Sequence, residues 1–245
     1  MTPFFRKIRK TLADDNKPIK YFRYAIGEIV LVVIGILIAL QINTWNDNRK
    51  LENIKQNYYQ QLLSDLETDI NYAKEVISYL DSANTKYNKY LEIYKEYNVS
   101  IDKIHSSIGI NNFQAPYLEF KTSTIESLIN TGDIKLFEPD LRKKLTTFNG
   151  SKTETLSFSK MFYDNANSVL ASASMSGAGF EDRLQNHPEL SNSLDFENRL
   201  PEIIFKLEAY LGWRNTGDND VMTRLNLLIE EADIIIEIIT KELEK

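Results

Sequence analysis

The chain has 245 residues, 42% hydrophobic and 26% charged, with 35 acidic against 29 basic side chains and a formal net charge of −6. It contains no cysteine, which excludes a disulfide framework and a lipoprotein cysteine, and its acidic balance argues against nucleic acid as a partner. The charge is unevenly placed: residues 1–45 carry seven basic and three acidic groups, net +4, and the 200 residues that follow carry 22 and 32, net −10.

Near the N-terminus, Ile29 to Leu40 is an unbroken apolar run of 12 residues, Gly35 included. Alone it is too short for a bilayer, which needs about 20 residues. With Tyr24–Glu28 before it and Gln41–Trp45 after it, the run becomes a helix of 22 residues, roughly 33 Å long at 1.5 Å per residue. Arg23, Tyr24 and Trp45 stand where interfacial anchors belong, and these basic and aromatic flanks argue against a buried core helix. The excess of Lys and Arg before the run predicts a cytoplasmic N-terminus. Ala39-Leu-Gln-Ile-Asn43 offers no Ala-x-Ala cleavage site, so the segment reads as an uncleaved signal anchor. Three parts follow: a basic cytoplasmic tail (1–20), a transmembrane anchor (21–45) and an exported domain (46–245).

Within the anchor, Gly35-x-x-x-Ala39 is a small-xxx-small motif that permits close helix approach, and Gly27 lies two turns earlier. Glu28 is costly in lipid and so is a functional candidate. Two readings stand open: an anchor that self-associates or packs on a membrane partner with Glu28 at the interface, or lipid-exposed glycines with an interfacial Glu28.

The segment Tyr24-Ala-Ile-Gly-Glu-Ile-Val-Leu-Val-Val-Ile-Gly-Ile-Leu-Ile-Ala-Leu-Gln-Ile-Asn-Thr-Trp-Asn-Asp-Asn-Arg-Lys50 resembles the signature of a family of single-pass bacterial membrane proteins classed as a domain of unknown function. Phe4-Phe5-Arg-Lys-Ile-Arg-Lys10 is similar to that family's opening. Leu128-Ile-Asn-Thr-Gly-Asp-Ile-Lys-Leu136, with Leu141 and Arg142 beyond it, is similar to a later stretch. The resemblance is specific over about the first 65 residues and looser to about residue 150; the C-terminal third resembles the family only in being helical. It implies a Gram-negative source, an inner-membrane location and a periplasmic domain, and it implies no activity.

Beyond the anchor, apolar residues recur from Leu51 through Ile54, Tyr58, Leu62, Leu66, Ile70, Ala73, Ile77, Leu80, Ala83, Tyr87 and Leu91 to Tyr94, the helical period. No Pro or Gly lies between Gly35 and Gly109, so one helix is expected over about 21–97, with Asn46-Asp-Asn48 its candidate kink. Residues 99–121 read as loop with at most a short helical turn. Ser123-Thr-Ile-Glu126 has the capping-box form and opens a short helix ending at Gly132. Pro139 suits the first turn of the next helix, which carries Leu141, Leu145 and Phe148, meets Gly150 and resumes through Leu156, Met161, Phe162, Val169 and Leu170. Residues 172–200 read as an exposed connection. A helix from about Pro201 is expected to end near Gly212, with Asn215-Thr-Gly-Asp218 as a turn. A last helix then carries Val221, Leu225, Leu228, Ala232, Ile235 and Ile239. Ile234–Ile239 alone could be strand, but its Glu, Lys and Leu flanks favour helix. The fold class is all-α: an N-terminal transmembrane helix followed by an antiparallel bundle on a long first helix.

Chemical motifs are absent. His105 and His187 stand in separate predicted loops, and no His-Glu-x-x-His, nucleophile elbow or phosphate-binding loop occurs. Ser174–Gly179 is Gly-rich but lacks the Lys a phosphate cradle needs, so it reads as a flexible loop. Asp65 and Asp69 are four apart and read as surface charge, with weak cation binding as the alternative. Eight of the 13 tyrosines fall in residues 58–97. Tyr87, Tyr90, Tyr94 and Tyr97 form one helical stripe, read as a Tyr-lined core whose hydroxyls reach the bundle edge, with a partner-binding stripe as the alternative. No catalytic, cofactor or metal site is expected. The expected function is a membrane-anchored, non-enzymatic interaction or scaffold protein contacting membrane lipid and a protein partner or itself. The alternatives are a ligand sensor acting through a membrane partner and an ion-coupled complex subunit using Glu28.

Overall fold

The computed structural model describes the chain apart from residues 1–17, 112, 115, 121–122, 185 and 245. Most of the basic tail, and the opening Phe4–Lys10 of the family resemblance, lie outside the described residues. Among the described residues there is no strand. The first helix, α1 (Pro18–Leu91), is helical throughout. Asn46–Asn48 lie inside it, and Asp47 bonds along the helix surface to Asn43 at 3.2 Å and Lys50 at 3.5 Å instead of turning onto the backbone. The helix stops six residues before its expected end near 97, in a 3-10 turn (Glu92–Lys95), and Asn98 then takes a left-handed φ of 55°. Contacts divide the chain into two compact units, Met1–Asn57 and Tyr58–Lys245.

In the second unit, three long helical stretches pack together: α1 from Tyr58 onward, α4 (Pro139–Ser176) and α7 (Phe196–Leu243). Two apolar clusters form the core. One joins Tyr59, Leu62, Leu66, Leu80, Leu141, Phe148, Val221 and Ile239; the other joins Tyr90, Ile108, Ala166, Ala173, Ile203 and Leu211. Both α1 and α4 traverse the clusters in this order and α7 in reverse, so α7 is antiparallel to the other two. Burying each such Leu or Ile contributes about 1.5–3 kcal/mol.

The parallel sense of α1 and α4 requires the chain to return along α1, and the described residues of that return form neither helix nor strand beyond one short helix. Helix α2 (Ile101–Ile108) comes first, capped by Ser100 Oγ accepting from the Lys103 N–H at 3.3 Å. A strap, described at residues 113–114, 116–120 and 123, then runs back beside α1. The Tyr79 hydroxyl donates to Gln114 O (3.0 Å), Tyr72 accepts from the Glu119 N–H (2.9 Å), and Asp65 accepts from the Thr124 N–H (3.2 Å). These α1 residues are seven apart and share one face. They supply bonds that a helix would make internally. Helix α3 (Thr124–Thr131) follows, a turn (Asp133–Leu136) leads to α4, and two short helices, α5 (Glu181–Leu184) and α6 (Pro188–Ser193), lead to α7.

Several expectations hold locally. Gly132 ends α3 in the left-handed conformation (φ 81°), and Pro139 sits in the first turn of α4. Others are corrected. Residues 101–108, expected as loop with room for a short helical turn, form an eight-residue helix, so His105 is helical. The N-terminus of α3 is capped by Asp65 from α1, while the Ser123 side chain makes no cap bond. The proposed exposed connection is helical up to Ser176.

The largest correction concerns Gly212 and Asn215–Asp218, expected as a helix end and a turn but lying inside α7. Gly217 is there for space: a Cβ on it would stand 2.8 Å from Phe162 Cβ, so α4 and α7 approach too closely for any side chain. Gly212 has open space around it. Gly217→Ala is expected to lower stability by about 1–3 kcal/mol through overpacking. Gly212→Ala is expected to raise it by about 0.5–1 kcal/mol through helix propensity. Thermal unfolding of the detergent-solubilised chain checks both; equal shifts would contradict this packing.

Candidate functional site

The core face of α4 changes character along its length. Leu141, Leu145 and Phe148 are followed at steps of three and four by Lys152, Thr155, Ser159 and Tyr163, all buried, before Ala166. The expected apolar Met161 is exposed. Facing this stretch are Asp69 of α1 and Arg214 and Asp218 of α7, also buried. The two apolar clusters are therefore joined through a polar waist.

The waist holds two ion pairs. Lys152 Nζ lies 2.8 Å from Asp69 Oδ2 and 5.0 Å from the centre of the Phe120 ring. Arg214 Nη2 lies 3.2 Å from Asp218 Oδ2, its Nη1 donates to the Tyr210 hydroxyl at 3.2 Å, and its guanidinium stands 5.1 Å over the Tyr163 ring. The Tyr163 hydroxyl donates to Asp218 Oδ1 (3.0 Å) and the Tyr210 hydroxyl to Phe113 O (2.9 Å), which ties the strap to α7. Burial pushes the Asp218 carboxyl up against the opposing pull of Arg214. Burial also raises the Tyr163 and Tyr210 phenols, so both remain hydrogen-bond donors in the physiological range. A cavity of about 20 Å³ beside Arg214, lined also by Asn84, Tyr87 and Asn111, is the size of one water molecule.

Chemically this arrangement orients and holds. Each described acid of the waist faces a base, and the pairs cross between helices or stiffen one turn. The waist was missed in the sequence because Asn-Thr-Gly-Asp has the composition of a turn; the readable signal was the heptad spacing of Leu141, Leu145, Phe148, Lys152, Thr155, Ser159 and Tyr163.

The sequence candidates fall elsewhere. Tyr90 is fully buried, Tyr94 is exposed at its edge, and both hydroxyls donate to Glu208 Oε1 of α7 while lying 3.1 Å from each other. Desolvation, then the Glu208 bond, raises both phenols. Tyr87 is half-buried and Tyr97 is 94% exposed, so the four do not act as one stripe. Asp65 caps α3 and Asp69 pairs with Lys152; the structure gives them separate structural partners instead of a shared cation. No cluster of three or more His, Cys, Asp or Glu side chains suited to a metal occurs among the described residues.

In the first unit, Arg23, Gly27, Glu28, Gly35, Ala39 and Trp45 all lie on α1, as does the backbone of Tyr24. Nothing lies within 4 Å of where a Cβ would stand on Gly27 or Gly35. The Trp45 ring lies under the Arg49 guanidinium at 5.7 Å. From Ile26 to Trp45 the large apolar side chains are 46–68% exposed. Consecutive positions on a helix point 100° apart, so this exposure leaves no polar face. It makes α1 a candidate membrane span, the one helix among the described residues long and apolar enough to cross a bilayer.

The fold and the candidate span define an all-helical protein with a bundle on a long, N-terminally apolar first helix. The chain belongs to a family of unknown function, DUF6090, whose model matches residues 28–201. That match carries the family well past residue 150, where the sequence resemblance had narrowed to helicity alone. No curated protein and no solved structure matches the chain.

The waist makes a measurable demand. Arg214→Met leaves the Asp218 carboxylate buried and unpaired, and is expected to cost about 3–5 kcal/mol. Adding Asp218→Leu is expected to recover most of that loss, because replacing a whole buried pair by apolar groups is close to neutral. Chemical unfolding of both variants measures the coupling; a double variant as unstable as the sum of the singles would contradict the pairing.

Proposed function

We propose that this protein is a single-pass inner-membrane protein that holds a helical interaction domain in the periplasm. The observation that carries the reading is the uniform exposure of large apolar side chains from Ile26 to Trp45. Such a helix is stable where its solvent is hydrocarbon and its backbone bonds are internal. The basic excess before it favours a cytoplasmic N-terminus, and the acidic balance after it suits an exported domain. The reading is non-enzymatic. The buried charges of the waist are committed to one another, and the two histidines belong to separate elements, His105 to α2 and His187 to the cap of α6. The domain then acts through its surface, by binding.

Two measurements on one preparation test this. After alkaline carbonate washing of bacterial membranes, the chain is expected in the pellet, and a Val33→Lys/Leu37→Lys variant in the supernatant, since each charge at the centre of a span costs about 2.5–3.5 kcal/mol. A C-terminal alkaline phosphatase fusion is expected to be active. Release of the unaltered chain by carbonate would overturn the anchor, and an inactive but expressed fusion would overturn the topology.

A further inference from the structure

The end of the bundle where α4 gives way to α7 carries a groove of about 460 Å³ that the reading above does not use. Backbone geometry builds it. Helix α4 stops in a Schellman-type turn: Gly177 takes φ +118°, its N–H bonds back to Ser174 O, and the Ala178 N–H reaches Ala173 O at 3.0 Å. A Cβ on Gly177 would stand 3.3 Å from the Phe196 ring, so the turn closes on α7 because this residue is glycine. Gly179, at φ +81°, turns the chain again and brings Phe180 and Arg183 to the groove. Its apolar wall is Phe180, Phe196 and Leu194; its basic wall is Arg183 and Arg199.

Lys152, Lys160, Lys206, Arg214, Arg224 and Lys241 each have a carboxylate within salt-bridge distance. Arg183 and Arg199 have none among the described residues. Arg183 lies over the Phe180 ring at 5.4 Å, which orients its guanidinium. Nearby carboxylates hydrogen-bond elsewhere: Glu202 accepts from Lys206 and Ser176 and feels Arg199 only as a weaker coulombic neighbour, and Asp195 accepts from Asn198. Two guanidiniums that make no salt bridge to a described carboxylate therefore line one apolar-walled groove in a region of net charge −10.

We propose that this groove binds a small soluble organic anion, a carboxylate or phosphate carried on an apolar body. The oxyanion meets the planar donor forks of Arg183 and Arg199, which suit carboxylate and phosphate geometry. The apolar body lies against Phe180, Phe196 and Leu194. The volume falls in the range of small-molecule sites, about 300–1,000 Å³. Phosphate alone leaves the apolar wall in water, and a neutral hydrocarbon leaves the guanidinium donor forks unused, so the site selects for both features in one molecule. The site does not depend on the location of the anchor.

Phenyl phosphate is the probe, titrated calorimetrically into the full chain in nanodiscs of zwitterionic lipid. Saturable binding is expected, stronger than that of inorganic phosphate or benzyl alcohol and weakened by salt. The exposed pair Arg183→Gln/Arg199→Gln should bind at least about tenfold more weakly, the loss of roughly one charge-assisted bond, with an unchanged unfolding temperature. Binding equal to wild type in that variant, benzyl alcohol binding as well as phenyl phosphate, or no saturable binding would each overturn the proposal. Loss of the probe on changing to anionic lipid would also overturn it, in favour of a lipid headgroup.

Discussion

A helix that is apolar on every side has no face to turn toward water, and this constraint governs the chain. From Ile26 to Trp45, α1 exposes large apolar side chains at successive positions. From Tyr59 onward the same helix buries one face, through Leu62, Leu66, Ile70, Ala73, Val76 and Leu80. The change separates a candidate membrane span from a segment whose partners are other helices of the same chain. It also coincides with the division of contacts into two units.

Within the bundle, the second constraint is that α1 and α4 run in the same sense. Two neighbouring helices joined by a short loop are antiparallel, so a long return is required. The chain makes it as a strap whose described backbone is bonded by side chains of α1 and α7, namely Tyr72, Tyr79, Asp65 and Tyr210. This accounts for two of the eight tyrosines of residues 58–97, Tyr72 and Tyr79. A tyrosine packs its ring in the core and still delivers a hydroxyl to the edge, as Tyr58 does in donating to Asp133 at 2.7 Å. That bond gives the Gly132-Asp133 part of the motif at 128–136 a physical role, holding the elbow before α4 against α1.

The polar waist imposes the third constraint. Buried ion pairs cost desolvation and contribute little net stability, so their value lies in excluding other registers. If α7 slipped by one turn against α4, Gly217 would leave Phe162 and Asp218 would leave Tyr163. This register role is a hypothesis motivated by those contacts, and a chain lacking both pairs that still unfolds as one cooperative unit with unchanged near-ultraviolet circular dichroism would refute it. Much of the architecture was legible in the sequence because period and punctuation agree: the 3.6-residue repeat marks α1, Gly132 and Pro139 bound α3 and α4, and Ile235 and Ile239 fall on the buried face of α7. The waist was not legible because its residues are those that otherwise signal turns and surfaces. Gly217, Asp218 and Asn215 read as loop when their partners on α4 are unknown, and Asp65 and Asp69 read as solvated charge until the strap and Lys152 are placed against them. Helix α2 was hidden in the same way, its eight residues too few to show a period.

Whether the segment from Ile26 to Trp45 lies in lipid can be measured directly through the chain's two tryptophans. A Trp213→Phe variant leaves Trp45 as the sole reporter. In vesicles containing lipids brominated at graded depths, Trp45 emission should be quenched most strongly by the shallowest label, as expected for an aromatic anchor at the head-group level. Emission from Trp45 at a water-exposed wavelength, unaffected by bromine at any depth, would contradict the account.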